Sequence, residues 1–114
     1  MIDLSAKRTR YLKDSVQIRL GGIAANLSRV NTFSNNSKHS VVVSNLLNES
    51  RYFIEWTTKE ADLETQIKLV EIQLQMSLWI QKWDDVWNNQ STRTQMAEES
   101  KKWSDQILKI SGFM

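Results

Sequence analysis

The 114-residue chain carries 15 Lys and Arg against 13 Asp and Glu, one histidine, three glycines, no proline and no cysteine. Without cysteine it can form neither a disulfide framework nor a zinc–thiolate site, and this composition is typical of a reducing, cytoplasmic setting. Its longest uninterrupted apolar runs are three residues, as at 41–43, so the sequence predicts no membrane span, and its length predicts a single domain over residues 1–114.

Helical structure is predicted throughout, because no glycine or proline occurs between Ile23 and Ser111. Proline stops helices, and glycine supplies the backbone angles that turns and strand corners need. The absence of both over so long a stretch predicts an all-α fold built from a few long helices.

The first helix is predicted from a cap at Asp3 or Ser5 to about Asn31. Gly21 and Gly22 lie inside its apolar pattern. Each glycine costs a helix about 1 kcal/mol relative to alanine, so we expect a weakened but continuous helix at this point.

A second, central helix is predicted over about residues 40–88, after a polar loop at 33–39. No glycine or asparagine interrupts it at Thr57-Thr58, which favours one long helix. The alternative is a break at Thr57-Thr58, where Thr57 and Glu60 have the spacing of a capping box.

The central segment is apolar on two nearly opposite helix faces. One face carries Leu63, Ile67, Val70 and Leu74, and the other carries Leu69, Ile72, Met76, Trp79, Trp83 and Trp87. A helix that is apolar on two sides is expected to be sandwiched between neighbours.

The last helix is predicted to begin after the turn at residues 88–91, with a capping box from Thr92 to Gln95, and to end at Gly112. Helix lengths then predict an antiparallel bundle of three helices that is only two helices thick. Because monomers rarely leave such wide apolar stripes bare, we expect a homodimer with a four-helix cross-section. A compact four-helix monomer with a turn at Thr57-Thr58 is the alternative.

Two sets of residues are candidates for a self-interface. Leu4, Tyr11 and Ile18 recur at steps of seven on the first helix, and Trp79, Trp83 and Trp87 recur at steps of four on the central helix. Aromatic residues at helical spacing usually pack in a core or a seam. The tryptophans could instead line a pocket for a small planar ligand.

Positive charge is concentrated towards the amino terminus, where residues 1–40 carry seven Lys and Arg against two acidic residues. Lys7, Arg8, Arg10 and Lys13 are the candidate contacts to a nucleic acid, because clustered cations neutralise phosphates. Contact with the acidic middle of the chain is an equally good explanation of this segregation.

The residues offer little for catalysis. The single histidine, His39, excludes a two-histidine metal site within one chain, and the sequence contains no phosphate-cradling glycine loop. We therefore predict a protein that is not an enzyme and that has no catalytic residue, cofactor or metal site.

The segment RYFIEWTTKEADLE, followed by the repeat of Trp79, Trp83 and Trp87, resembles small, uncharacterised, all-helical proteins of cyanobacteria. The resemblance implies a bacterial cytoplasmic protein and brings no site or cofactor with it. Taken together, the sequence predicts a non-catalytic, self-associating module for protein–protein interaction or scaffolding. The alternatives are a nucleic-acid-associated regulator and a ligand-binding bundle.

Overall fold

The computed structural model describes residues 3–113, and the regular elements in that range are all helical, as predicted. They are α1 (Leu4–Tyr11), α2 (Val16–Phe33), a 3-10 turn (Ser37–His39), α3 (Ser40–Thr58), α4 (Leu63–Gln81), α5 (Trp83–Asn88) and α6 (Gln90–Ser111). The lack of glycine and proline between α2 and the end of α6 therefore does produce an all-α fold.

Helix α2 lies at the centre of the packing, with its most extensive contacts to α6 and α3, while α3 also packs against α4. The fully buried side chains come from all four of these helices: Ile23, Leu27 and Val30 from α2, Val43, Leu47 and Ile54 from α3, Leu69, Ile72 and Met76 from α4, and Met96 and Ile107 from α6. The Cα atoms span 37 × 33 × 20 Å.

The predicted first helix is interrupted after Tyr11, so it is two helices, α1 and α2. Asp3 caps α1 as predicted, with its carboxylate accepting from the Ala6 N–H. Ser15 caps α2, and its hydroxyl accepts from the Ile18 N–H at 3.2 Å. Such polar side chains compete with the helical backbone for hydrogen bonds, which ends a helix without glycine or proline.

The prediction of one central helix over residues 40–88 is wrong. Helix α3 ends at Thr58, and α4 begins after Asp62, whose carboxylate accepts from the Thr65 N–H at 2.8 Å. That hydrogen bond to the backbone lowers the pKa of Asp62. Thr57 is not a cap but a buried residue in the last turn of α3. The alternative turn at Thr57-Thr58 is thus only a few residues from the observed one.

A second interruption follows at Lys82, where the backbone leaves helical angles (φ −113°, ψ 36°) before α5. Helix α6 is capped by Asn89, whose side chain accepts from two backbone N–H groups, so the capping box predicted at Thr92 is wrong. The predicted end at Gly112 is confirmed, because this residue has the left-handed φ of 85° that favours glycine.

The prediction that α2 continues through Gly21 and Gly22 is confirmed. Gly21 lies beneath the ring of Phe113, and a Cβ atom there would be 3.0 Å from Phe113 Cε2. The glycine therefore allows the end of α6 to approach α2 closely.

The buried side chain of Arg19 joins the turn between α1 and α2 to the turn between α3 and α4. Its guanidinium donates to the carbonyl oxygens of Asp14 (2.9 Å) and Leu12 (3.1 Å) and pairs with the Glu60 carboxylate. Its side chain is only 6% exposed, whereas that of Glu60 is 52% exposed. Arg19 thus satisfies backbone carbonyls at the end of α1 and holds the beginning of α4 near them.

We predict that Arg19→Ala lowers the free energy of unfolding by about 2–4 kcal/mol, because it removes three hydrogen-bond partners from one buried site. Arg8→Ala is the matched control, since Arg8 is exposed on α1 and its loss should change stability by less than about 0.5 kcal/mol. Urea unfolding followed by circular dichroism measures both. Equal effects of the two substitutions would contradict this role of Arg19.

Candidate functional site

The outward face of α4 carries five apolar side chains that no other part of the described chain covers. Leu63, Ile67, Val70, Leu74 and Leu78 are 71%, 62%, 44%, 63% and 53% exposed. Their steps of four and three residues place them in one line along the helix. We call this line the outer stripe.

The opposite face of α4 is buried. Leu69, Ile72 and Met76 are all 0% exposed and belong to the hydrophobic core. Sequence analysis indicated that this segment is apolar on two faces and expected neighbours on both. In the structure one face has its neighbours within the chain, and the other faces outwards.

The two flanks of the outer stripe differ in charge. At 100° per residue, Glu64 and Glu71 lie along one side of the stripe, and Gln66 and Gln73 lie along the other. We call these the acidic flank and the amide flank. Glu71 is paired with Lys68 at 3.3 Å, one turn away on the same helix.

The amide flank is the one nearer to α3, because Gln73 Nε2 donates to the Arg51 carbonyl of α3 at 3.2 Å. The acidic flank lies on the other side of α4, where Gln75 and Trp79 line an open groove of about 680 Å³ between α4 and α6. The stripe is therefore bordered by neutral hydrogen-bonding groups on one side and by carboxylates on the other.

The three tryptophans predicted at the interface make contacts within the chain. Trp79 is half-buried, with its ring 5.4 Å from that of Trp103 in α6. Trp83 and Trp87 stack at 5.3 Å. Because α4 ends at Gln81, the three rings do not share one helix face, and of the three only Trp79 lines the groove between α4 and α6.

Both stacked tryptophans also anchor α5 by hydrogen bonds. Trp83 Nε1 donates to Ser40 Oγ, and Trp87 Nε1 donates to the Ser37 carbonyl, each at 2.9 Å. These two indoles therefore connect α5 to the 3-10 turn and to the beginning of α3, which is a structural role.

The predicted stripe of Leu4, Tyr11 and Ile18 is divided by the break after α1. Leu4 (38% exposed) and Ile18 (54% exposed) lie on different helices. Tyr11 is turned inwards, with its ring stacked on Phe53 at 4.3 Å. Its hydroxyl donates to the Arg19 carbonyl at 3.1 Å, and burial raises the pKa of Tyr11 to about 12.

The four cations predicted to contact a nucleic acid have two different environments. Lys7 is half-buried and pairs with the Glu49 carboxylate beside Phe53. Arg8, Arg10 and Lys13 are exposed. Lys7 thus forms an ion pair within the chain. A nucleic-acid interface at Arg8, Arg10 and Lys13 remains a prediction.

The sequence pattern places the first four members of the outer stripe on one helix face, but it predicts that neighbours bury them. The structure exposes them instead. The sequence signal for their exposure is Asp62. This residue caps a separate helix, so α4 can turn one face towards the core and leave its other face exposed.

Within residues 3–113, no three His, Asp or Glu side chains lie close enough together to hold a metal ion. None of the helices in this range combines the length and apolar character needed to cross a membrane. No protein-family model, no curated protein and no solved structure matches the chain.

We predict that Trp83→Ala lowers the free energy of unfolding by about 2–3 kcal/mol, since it removes a large aromatic contact with Trp87. Trp83→Phe keeps most of the ring contact and loses only the hydrogen bond to Ser40, so its cost should be about 1 kcal/mol. Thermal unfolding of the two variants distinguishes these values. An unchanged melting temperature for Trp83→Ala would refute the structural role of this ring.

A second prediction concerns the titration of Tyr11. In a Tyr52→Phe variant, Tyr11 is the only tyrosine, and its ionisation followed by ultraviolet absorbance should have a midpoint of about 12 instead of the ordinary 10.0. The raised pKa means that the folded state favours the neutral phenol. The stability that Tyr11 contributes is therefore complete below pH 10.0 and is lost as the pH rises towards 12.

The matched control for this titration is Tyr11→Phe. This variant should lose less stability than the wild type over the same alkaline range, because it has no buried phenol to ionise. A midpoint near 10.0 for Tyr11, or identical alkaline losses in the two proteins, would show that the hydroxyl is not held in the buried site.

Proposed function

We propose that the chain is a non-catalytic helical module for protein–protein interaction, which self-associates as a homodimer through the outer stripe of α4. The observation that carries the proposal is the row of five exposed apolar side chains from Leu63 to Leu78. Single exposed apolar residues are ordinary, but a contiguous row bordered by polar residues marks an interaction surface.

The spacing of the stripe supports a helix as its occupant. From Leu63 to Leu74 the steps of four, three and four residues are those of a coiled-coil seam, in which apolar side chains of one helix fit between those of another. Leu78 extends the row by a further step of four. From Leu63 to Leu78 the stripe extends over about 22 Å, nearly the whole of α4. A flat or irregular partner would match this narrow, straight row less well than another helix.

The area of the stripe supports a second copy of the chain. The five side chains together expose on the order of 500 Å² of apolar surface. Two copies in a two-fold dimer would bury on the order of 1,000 Å², which is near the lower bound for a specific interface. In such a dimer the same patch meets itself, so one row of apolar residues completes the surface of both copies.

Ile67→Lys should prevent self-association, because each copy would place an unpaired charge in the middle of the seam. We expect sedimentation velocity over a wide concentration range to give a wild-type mass approaching twice that of the chain. The Ile67→Lys variant should keep the mass of a single chain, with a far-ultraviolet circular dichroism spectrum like that of the wild type.

Val41→Lys is the matched control, because Val41 is an equally exposed β-branched residue (71%) on α3, away from the stripe. This variant should associate like the wild type. A wild-type protein with the mass of a single chain at every concentration, or a Val41→Lys variant as defective as Ile67→Lys, would contradict the proposal.

A further inference from the structure

The different flanks of the outer stripe bear on how two copies would be aligned. This inference rests on the proposed function, since it concerns the orientation of the same α4–α4 contact. Two facing helices related by a two-fold axis can run antiparallel or parallel, and each choice brings a different pair of flanks together.

Antiparallel alignment would place like flanks together. The acidic flank of one copy would then face the acidic flank of the other, and Glu71 would lie beside a glutamate of the second copy. Like charges in such flanking positions weaken helix pairing. The two amide flanks would meet on the other side of the seam, where they offer neutral hydrogen bonds that do not offset this repulsion.

Antiparallel alignment brings no better fit of the apolar side chains. If Leu63 is matched with Leu74, then Ile67 matches Val70, but Leu78 lies opposite Lys59, which precedes α4 in the chain. If Leu63 is instead matched with Leu78, Val70 lies opposite Glu71. Each of these two registers leaves one apolar side chain of the stripe without an apolar counterpart.

Parallel alignment removes the repulsion between the acidic flanks. Leu63, Ile67, Val70 and Leu74 each meet their own counterpart at the same height along the seam, and Leu78 lies at its acidic edge. The acidic flank of one copy faces the amide flank of the other, where Gln66, just before Ile67, can reach Glu71, just after Val70. These are the flanking positions that make contacts between parallel helices.

We infer that the partner of the outer stripe is a second copy of this chain in parallel alignment, with the Gln66 amide of each copy donating to the Glu71 carboxylate of the other. The avoided repulsion between acidic flanks, together with the match of amide donor and carboxylate acceptor, selects this orientation. The apolar seam supplies the affinity, and the two symmetric Gln66–Glu71 contacts set the register.

Charge substitutions at Gln66 test the alignment through the dissociation constant of the dimer. Gln66→Lys places a cation opposite Glu71 of the other copy and should tighten the dimer about three- to tenfold at low salt. Gln66→Glu should weaken it by a similar factor. The double variant Gln66→Glu with Glu71→Lys forms the reverse of the ion pair in Gln66→Lys and should recover at least the wild-type affinity.

The antiparallel alternative gives a different result for the same variants, because Gln66 would then face the amide flank of the second copy. Gln66→Lys and Gln66→Glu would then each leave the dissociation constant unchanged, whereas the double variant would tighten the dimer, because Glu71→Lys relieves the repulsion between the acidic flanks. Sedimentation equilibrium of the four proteins therefore separates the two alignments. Unchanged dissociation constants in the two single variants would overturn the inference.

A distance measurement provides a second test that does not depend on charge. The chain has no cysteine, so Lys82→Cys introduces a single attachment point for a spin label just after α4, at an exposed position. In a parallel dimer the two labels lie at the same end of the seam. In an antiparallel dimer they are separated by about 35–40 Å along the helix axis, which pulsed electron paramagnetic resonance resolves readily.

The failure of this inference is distinguishable from the failure of the proposed function. A dimer that Ile67→Lys abolishes, but whose labels are 35–40 Å apart along the axis, would overturn the parallel alignment and keep the interaction surface. A wild-type protein that never forms a dimer would overturn both.

Discussion

The structure depends on one constraint, which is that α4 is apolar on two opposite faces while residues 3–113 cover only one of them. The buried face holds Leu69, Ile72 and Met76 in the core. Removing these side chains from water is the main contribution of α4 to folding. Because this face of α4 packs in the core, the row from Leu63 to Leu78 on the opposite face has to point outwards. The exposure of the outer stripe is therefore a direct consequence of how the core is built.

The turns decide which face of α4 is buried. Asp62 starts α4 as a separate helix, and Arg19 ties the adjoining turn to the end of α1 through Glu60. If α3 and α4 were continuous, α4 would extend past the core. At its other end Trp79 contacts Trp103 of α6. The two ends of α4 are thus fixed by specific contacts, which holds the outer stripe straight and available along its length.

Much of the fold could be predicted from the sequence, but the positions of the breaks could not. The lack of glycine and proline predicts helices correctly, and Gly112 ends the last one as expected. The breaks before α2 and α4 are marked by side-chain caps at Ser15 and Asp62, and such residues also occur within helices. The turn before α6 is predicted correctly, but its cap is Asn89 and not Thr92. The repeat of apolar residues showed both faces of α4. Which face would stay uncovered depends on long-range contacts such as that of Arg19, and those leave no local pattern.

The most direct test of this account is an isotope-filtered nuclear Overhauser experiment on a mixture of labelled and unlabelled chains, which reports only contacts between copies. The account predicts intermolecular signals from the methyl groups of Leu63, Ile67, Val70, Leu74 and Leu78, and none from the methyl groups of Val43 or Leu47 in the core. Intermolecular signals confined to other surfaces, or no such signals at concentrations where the mass corresponds to two chains, would contradict it.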